Sequence, residues 1–178
     1  MGFKEISITD WNENPYTLFG KEWGLLCAGN EKSYNLMTIS WGSLGSLWVR
    51  ESKPVVMPSI TVYVQKSRHT YSFMERENRF AVAFLPDGYK KELTYLGSAS
   101  GRDGDKFACA GLTPLFENGT VYPAQAKLVF ICRKCYGDHF HPEGFCDNKI
   151  PETVYPDGKM HKFYIGEIEK VLIAGSDA

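Results

Sequence analysis

Asn35-Leu36-Met37-Thr38-Ile39-Ser40-Trp41-Gly42 sets small polar side chains between β-branched and aromatic ones and runs into a glycine. The pattern predicts a strand whose end lies against a flat ligand. Backbone N–H and C=O groups make the contacts there, and small side chains permit close approach. Further along, Ile60, Val62 and Val64 alternate with Ser59, Thr61, Tyr63 and Gln65, which predicts a half-buried strand over 59–65. It breaks into Lys66-Ser67-Arg68-His69-Thr70 and a helical pattern over 68–77, with Thr70, Phe73, Met74 and Glu77 on one face. A strand ending at a helix start that carries Ser67, Arg68 and Thr70 suits a phosphate. Free N–H groups and the helix dipole attract the anion, and a guanidinium grips it bidentately. One strand for a ring and one corner for a phosphate suggest a mononucleotide.

Working outward, residues 1–14 read as a polar lead-in, Pro15–Trp23 as a short helix and Gly24–Gly29 as a strand. Residues 43–56, with Gly, Ser, Leu44, Leu47 and Trp48, read as an irregular loop or helical turn. Phe80-Ala81-Val82-Ala83-Phe84 alternates large and small apolar residues, as the inside of a small barrel does. Asp87 is placed to cap a helix that buries Tyr89, Leu93 and Leu96, and Ser100-x-x-Asp103 to open another through Lys106, Phe107 and Ala110. Asn118-Gly119 predicts the turn of a hairpin over 113–123, followed by a central strand at 126–132. Residues 137–160, rich in Pro, Gly, Asp and His, read as a surface excursion, and His161–Ile173 as the closing strand. Short strands, scattered helices and no β-α-β alternation predict an antiparallel barrel with helical insertions. No repeat or linker divides residues 1–178, which read as one domain.

Composition excludes several classes. A formal net charge of −1 and no basic tract beyond Lys66-Ser67-Arg68 leave no footprint for nucleic acid. With 43 % hydrophobic and 14 % aromatic residues, the chain can build a core rather than stay disordered. No apolar run approaches a membrane span, the first residues lack a signal-peptide core, and Ile6 replaces the Ser or Thr that myristoylation needs. Cys27, Cys109, Cys132, Cys135 and Cys146 are too few and irregular for a disulfide scaffold, so a cytoplasmic location is expected.

Neither a G-x-G-x-x-G after a strand nor a phosphate-binding P-loop is present, so a pyridine nucleotide would bind without a Rossmann domain. Cys132-x-x-Cys135, with His139, His141 and Cys146, is the tempting metal motif, and a metal-binding interaction module is one alternative function. Against it, Arg133 and Lys134 separate the thiols and Cys132 ends an apolar strand, so the sulfurs diverge unless the strand has stopped; no metal ligand is assigned. Each remaining signal has a plainer reading. Arg68 could be a surface arginine, Ser100 a cap, Asp103 and Lys106 a solvated pair, and His161 the start of a strand, while Trp41 and Trp48 could be core.

Taken in order, the motifs are Asn35-x-Met37-Thr38-x-Ser40-Trp41-Gly42, Arg68-x-Thr70-Tyr71, Tyr95-Leu96-Gly97-Ser98-x-Ser100-Gly101-x-Asp103-x-Asp105-Lys106 and His161-x-x-Tyr164-Ile165-Gly166-Glu167. Their succession over about residues 20–173 resembles the flavin reductase-like, flavoredoxin-type family with the FMN-binding split-barrel fold. The resemblance implies an antiparallel Greek-key split β-barrel and an oxidoreductase that passes a hydride from NADH or NADPH to flavin or onward to an acceptor. An electron carrier reduced by a partner protein is the alternative on the same fold. The resemblance further implies that Asn35, Met37, Thr38, Ile39, Ser40 and Trp41 present the ring strand and that Ser67, Arg68 and Thr70 hold the 5′-phosphate. Ser98, Ser100, Gly101 and Lys106 would close over the flavin, with His161 beside the nicotinamide. Thr38 and Ser40 are the expected strand contacts and Lys106 the expected cation. A homodimer with FMN near the subunit interface is implied as well.

Overall fold

The computed structural model describes residues 2–50 and 53–175. Ten strands carry the fold: β1 (Phe3–Ile6), β2 (Gly24–Asn30), β3 (Ser33–Ile39), β4 (Gly42–Arg50), β5 (Lys53–Gln65), β6 (Arg79–Phe84), β7 (Pro114–Glu117), β8 (Thr120–Pro123), β9 (Leu128–His139) and β10 (His161–Ala174). Between them lie α1 (Pro15–Thr17), continued by a wider turn over Leu18–Glu22, then α2 (His69–Arg76), α3 (Lys90–Ser98), α4 (Lys106–Cys109) and α5 (Lys149–Val154). The sheet runs β3-β2-β6-β9-β10-β5-β4, every pairing antiparallel, and β1 is added along β10.

Strands β3 and β4 are joined by Ser40 and Trp41 alone, yet they stand at opposite ends of that hydrogen-bonded path. The sheet therefore curls until its two edges meet at this corner without pairing, and the barrel is split there. Alternate residues of an edge strand aim N–H and C=O away from their only neighbour, so β3 offers free backbone along the split. Gly42 makes the corner possible: a Cβ there would lie 2.3 Å from the Phe19 ring.

The period-two pattern sorts β6 as expected, with a refinement. Phe80, Val82 and Phe84 fill the barrel with Ile60, Val62, Val64 and Phe130. Ala81 and Ala83 face outward, where their small size admits Leu93 and Leu96 of α3, Phe107 of α4 and Val121 of β8. The β7–β8 hairpin turns at Asn118 and Gly119, both at positive φ (50° and 73°), as a tight two-residue turn requires. Among the described residues no helix is long and apolar enough to cross a membrane.

Several boundaries differ from the sequence reading. Residues 1–14 contain β1, whose four residues pair with Val171–Ala174. Residues 43–50 and 53–56 form not a loop but the paired strands β4 and β5, and residues 51–52 lie outside the described residues. The Gly and Ser residues of this stretch obscured the alternation, and a bulge at Trp48 (φ 59°) interrupts it. Pro58 is tolerated because β10 pairs with β5 only from Ser59 onward, so the proline sits where the sheet has two strands. Strand β9 continues to His139, and the excursion starts after it. Tyr89 rather than Asp87 precedes α3, and it caps through no side chain. Asp105 rather than Ser100 caps α4, its carboxylate accepting from the Phe107 and Ala108 N–H groups. Trp41 and Trp48 are not core but 44 % and 48 % exposed.

Candidate functional site

Two adjoining clefts open at the split, and between them they are lined by every residue singled out above for the cofactor, together with His161. The first, of about 120 Å³, lies between the N-terminal turn of α2, the C-terminal end of α3 and the loop through Gly101. The second, of about 190 Å³, runs along Met37–Trp41 and is faced by Tyr63, Gln65 and His161. Arg68 and Met37 line both.

The first cleft is built to be positive. Arg68, Arg102 and Lys106 line it, and among the described residues no Asp or Glu does. Arg68 Nη1 donates to the Gly97 carbonyl (3.0 Å), which ties α2 to α3 and leaves the remaining guanidinium donors for an anion. Lys106 is only 4 % exposed and donates to the Leu96 carbonyl (2.5 Å). Burial, and then the nearby Arg68 charge, bring its ammonium down to about 8. His69 is likewise held below its ordinary value, first by burial and then by Arg102, Arg76 and Lys106. Both shifts are set first by burial, with neighbouring cations adding to them.

The hydroxyls divide into two kinds. Ser100 Oγ accepts the Arg102 N–H (3.2 Å), so its own hydrogen remains to donate. Thr70, buried, accepts from Asn35 Nδ2 (2.8 Å) and also keeps its hydrogen. Ser98 by contrast turns back to the Thr94 and Tyr95 carbonyls (3.1 Å each). Thr38 donates to the Leu93 carbonyl of α3 (2.5 Å), so its hydroxyl is engaged within the protein and the expected strand contact falls to its backbone. Gly101 lies so near Asn35 that a Cβ would fall 2.2 Å from Oδ1.

At the far end of the second cleft, His161 Nδ1 meets the Tyr155 hydroxyl at 3.0 Å, and its ring lies 4.6 Å from that of Trp41. Burial and then Arg68 lower its pKa, so the imidazole is neutral near pH 7. Among the described residues no hydrogen bond engages Nε2. Arg102, His69, Tyr63, Gln65 and Tyr155 were not anticipated. Tyr63 and Gln65 were within reach of the pattern, since the alternation that buries Val62 and Val64 must turn them the other way. Tyr155 belongs to the excursion, where no periodicity guides a reading.

The cysteine motif does not assemble. Strand β9 passes through both residues: Cys132 is enclosed in the barrel core, while Cys135, at a bulge opposite β10, is partly exposed. Among the described residues no three His, Cys, Asp or Glu side chains gather to hold a metal.

A positive, acid-free pocket with free hydroxyl donors, continuous with an open strand edge, fits the phosphate and ring of a flavin mononucleotide. Comparison with known proteins bears on the same point. A family model described as flavin reductase like domain matches residues 19–178. Comparison with the curated proteins finds no match. Among solved structures, flavoredoxin from Methanosarcina acetivorans is similar at 22 % identity and TM-score 0.62, covering 88 % of this chain and 69 % of that one. An FMN-binding domain of a flavin reductases-like enzyme from Shewanella baltica OS155 aligns at 16 % identity and TM-score 0.63, covering 97 % and 77 %. The flavin reductase of styrene monooxygenase from Pseudomonas putida S12 aligns at 15 % and 0.59, covering 90 % and 84 %. At such identities the likeness establishes the fold, a split barrel.

Proposed function

The chain belongs to the flavin reductase-like domain family, and from that premise we propose that it binds FMN and takes a hydride from NADH or NADPH for transfer to flavin or to a further acceptor. The observation that carries the reading is the acid-free cleft of Arg68, Arg102 and Lys106 opening onto the free edge of β3. Arg68, Arg102, Lys106, Thr70 and Ser100 would hold the phosphate. The backbone from Met37 to Trp41 would hold the ring, with Trp41 and Tyr63 limiting access of water.

The flavin, once bound, supplies the hydride-accepting chemistry. The protein's part is orientation and charge. Neutral His161, fixed by Tyr155, would present Nε2 as a hydrogen-bonding group at the cleft mouth without adding a second cation near Arg68. The test is a titration with FMN followed by anaerobic addition of NADH or NADPH. Flavin fluorescence quenching on binding, then bleaching of the flavin absorbance, is expected; absence of both spectral changes overturns the reading. A carrier function is favoured by the likeness to flavoredoxin. Binding of FMN with no bleaching by either nucleotide, but reduction by a protein donor, would select it.

A further inference from the structure

Beside the ring cleft lies a third cavity, of about 540 Å³, which the proposed reaction leaves without a role. The excursion after β9 folds back over the sheet to build it. Phe140 stacks on Tyr63 (centroids 5.6 Å apart, 10° between planes), and Phe145 and Tyr155 follow at 5.8 Å from Phe140 and 6.2 Å from Phe145. Trp41 and Tyr63 belong to both this cavity and the ring cleft. Among the described residues no charged side chain lines it. The cavity opens to solvent, with Tyr16, Trp41, Ile150 and Val154 exposed on its lining. Its volume falls within the roughly 300–1,000 Å³ of small-molecule sites.

We propose that this cavity binds a neutral, planar aromatic molecule of one or two fused rings, lodged against the wall that Trp41, Phe140 and Phe145 line beside the ring cleft. Neutrality follows from the lining. A pyrophosphate or carboxylate would be desolvated with no cation to answer it, whereas Arg68, Arg102 and Lys106 line the phosphate cleft and not this cavity. Aromaticity follows from the walls, since offset and edge contacts among rings add to the gain from burial. Few polar atoms are asked of the ligand, because the Tyr155 hydroxyl is already engaged by His161. The inference concerns binding and stands apart from the flavin reading.

Isothermal titration calorimetry with 2-naphthol and with naphthalene-2-sulfonate at pH 7 tests it, on protein with and without FMN. One 2-naphthol per chain is expected, at least tenfold tighter than the sulfonate and unaffected by FMN. Ile150 and Val154 stand on the exposed rim on α5 and line neither flavin cleft. Val154→Arg, which adds charge, and Ile150→Trp, which fills the mouth without charge, should each weaken 2-naphthol about tenfold and leave FMN titration unchanged. Equal affinity for the two probes, binding lost without FMN, or indifference to both variants would overturn the proposal. So would a Val154→Arg protein with a lower sedimentation mass and unaltered 2-naphthol binding, since the cavity would then be a contact between copies.

Discussion

Arg68 stands where the two clefts meet, and its role there is separable from that of a surface charge. A charge-assisted contact to phosphate contributes about 1.5–3 kcal/mol, so Arg68→Ala should weaken FMN roughly ten- to a hundredfold. Riboflavin, which has the ring and no phosphate, should bind almost unchanged. Arg68 also holds the Gly97 carbonyl. A parallel loss for both ligands, read by fluorescence titration, would therefore mean that the arginine only braces α3.

Lys106 adds a pH dependence whose sign is set by its depressed value. The ligand-free protein loses the ammonium proton near pH 8, and a phosphate dianion alongside would restore it. FMN affinity should thus fall as pH rises above about 8. It should also fall below about 6, where the dianion of a phosphate monoester takes up a proton and becomes a monoanion. Riboflavin should show neither limb, and Lys106→Met should abolish the alkaline one. Stability runs the other way: the unfolded chain keeps the proton up to 10.5, so the ligand-free fold gains stability as pH climbs from about 8. An alkaline limb that persists in Lys106→Met would remove Lys106 from the phosphate site.

Elements show why some of this was legible in the chain and some was not. Asn35–Trp41 and Arg68–Thr70 could be read because strand alternation and a helix start carry their own signals. What no local pattern reveals is where a hydroxyl turns once a helix packs over it. The Thr38 hydroxyl turns to the Leu93 carbonyl, a contact made across 55 residues, while the backbone expected to meet the ligand stays on the edge strand. The β4–β5 pairing was hidden by Gly and Ser residues and by the bulge at Trp48. Ser100-x-x-Asp103 was read as a helix start, and the actual constraint on the loop between α3 and α4 is a close approach. Gly101→Ala would place a methyl 2.2 Å from Asn35 Oδ1 and 2.9 Å from His69 Cδ2. Relief requires moving the loop off Asn35, which should cost about 1–3 kcal/mol in urea denaturation and loosen FMN at least tenfold. An unchanged FMN titration would show that the loop does not shape the phosphate cleft.

At the scale of the whole molecule, a split barrel leaves two unpaired edges. β3 meets the clefts; β4 carries an apolar surface that nothing among the described residues covers. Val49 and Val56 are cross-strand partners, 63 % and 48 % exposed, next to Trp48 on its bulge. Burying an aliphatic side chain of this size is worth about 1.5–3 kcal/mol, and an edge strand with such a face invites pairing. Closed two-fold dimers are the commonest way of satisfying that demand, because each copy supplies the same patch to the other. We therefore propose a homodimer through the β4–β5 hairpin, formed at micromolar concentration. Val49→Lys sets a charge in the patch while remaining on an exposed strand position, so the fold should persist and association should weaken at least tenfold. Light scattering gives the mass, and a monomer for the parent chain at that concentration would refute the dimer. Linkage supplies a second reading: Trp41 lines the ring cleft and lies at the start of β4. If the dimer also orders that corner, FMN must tighten association by the same factor by which association tightens FMN. A dimer constant indifferent to saturating FMN would place the interface away from the cofactor, on the hairpin alone.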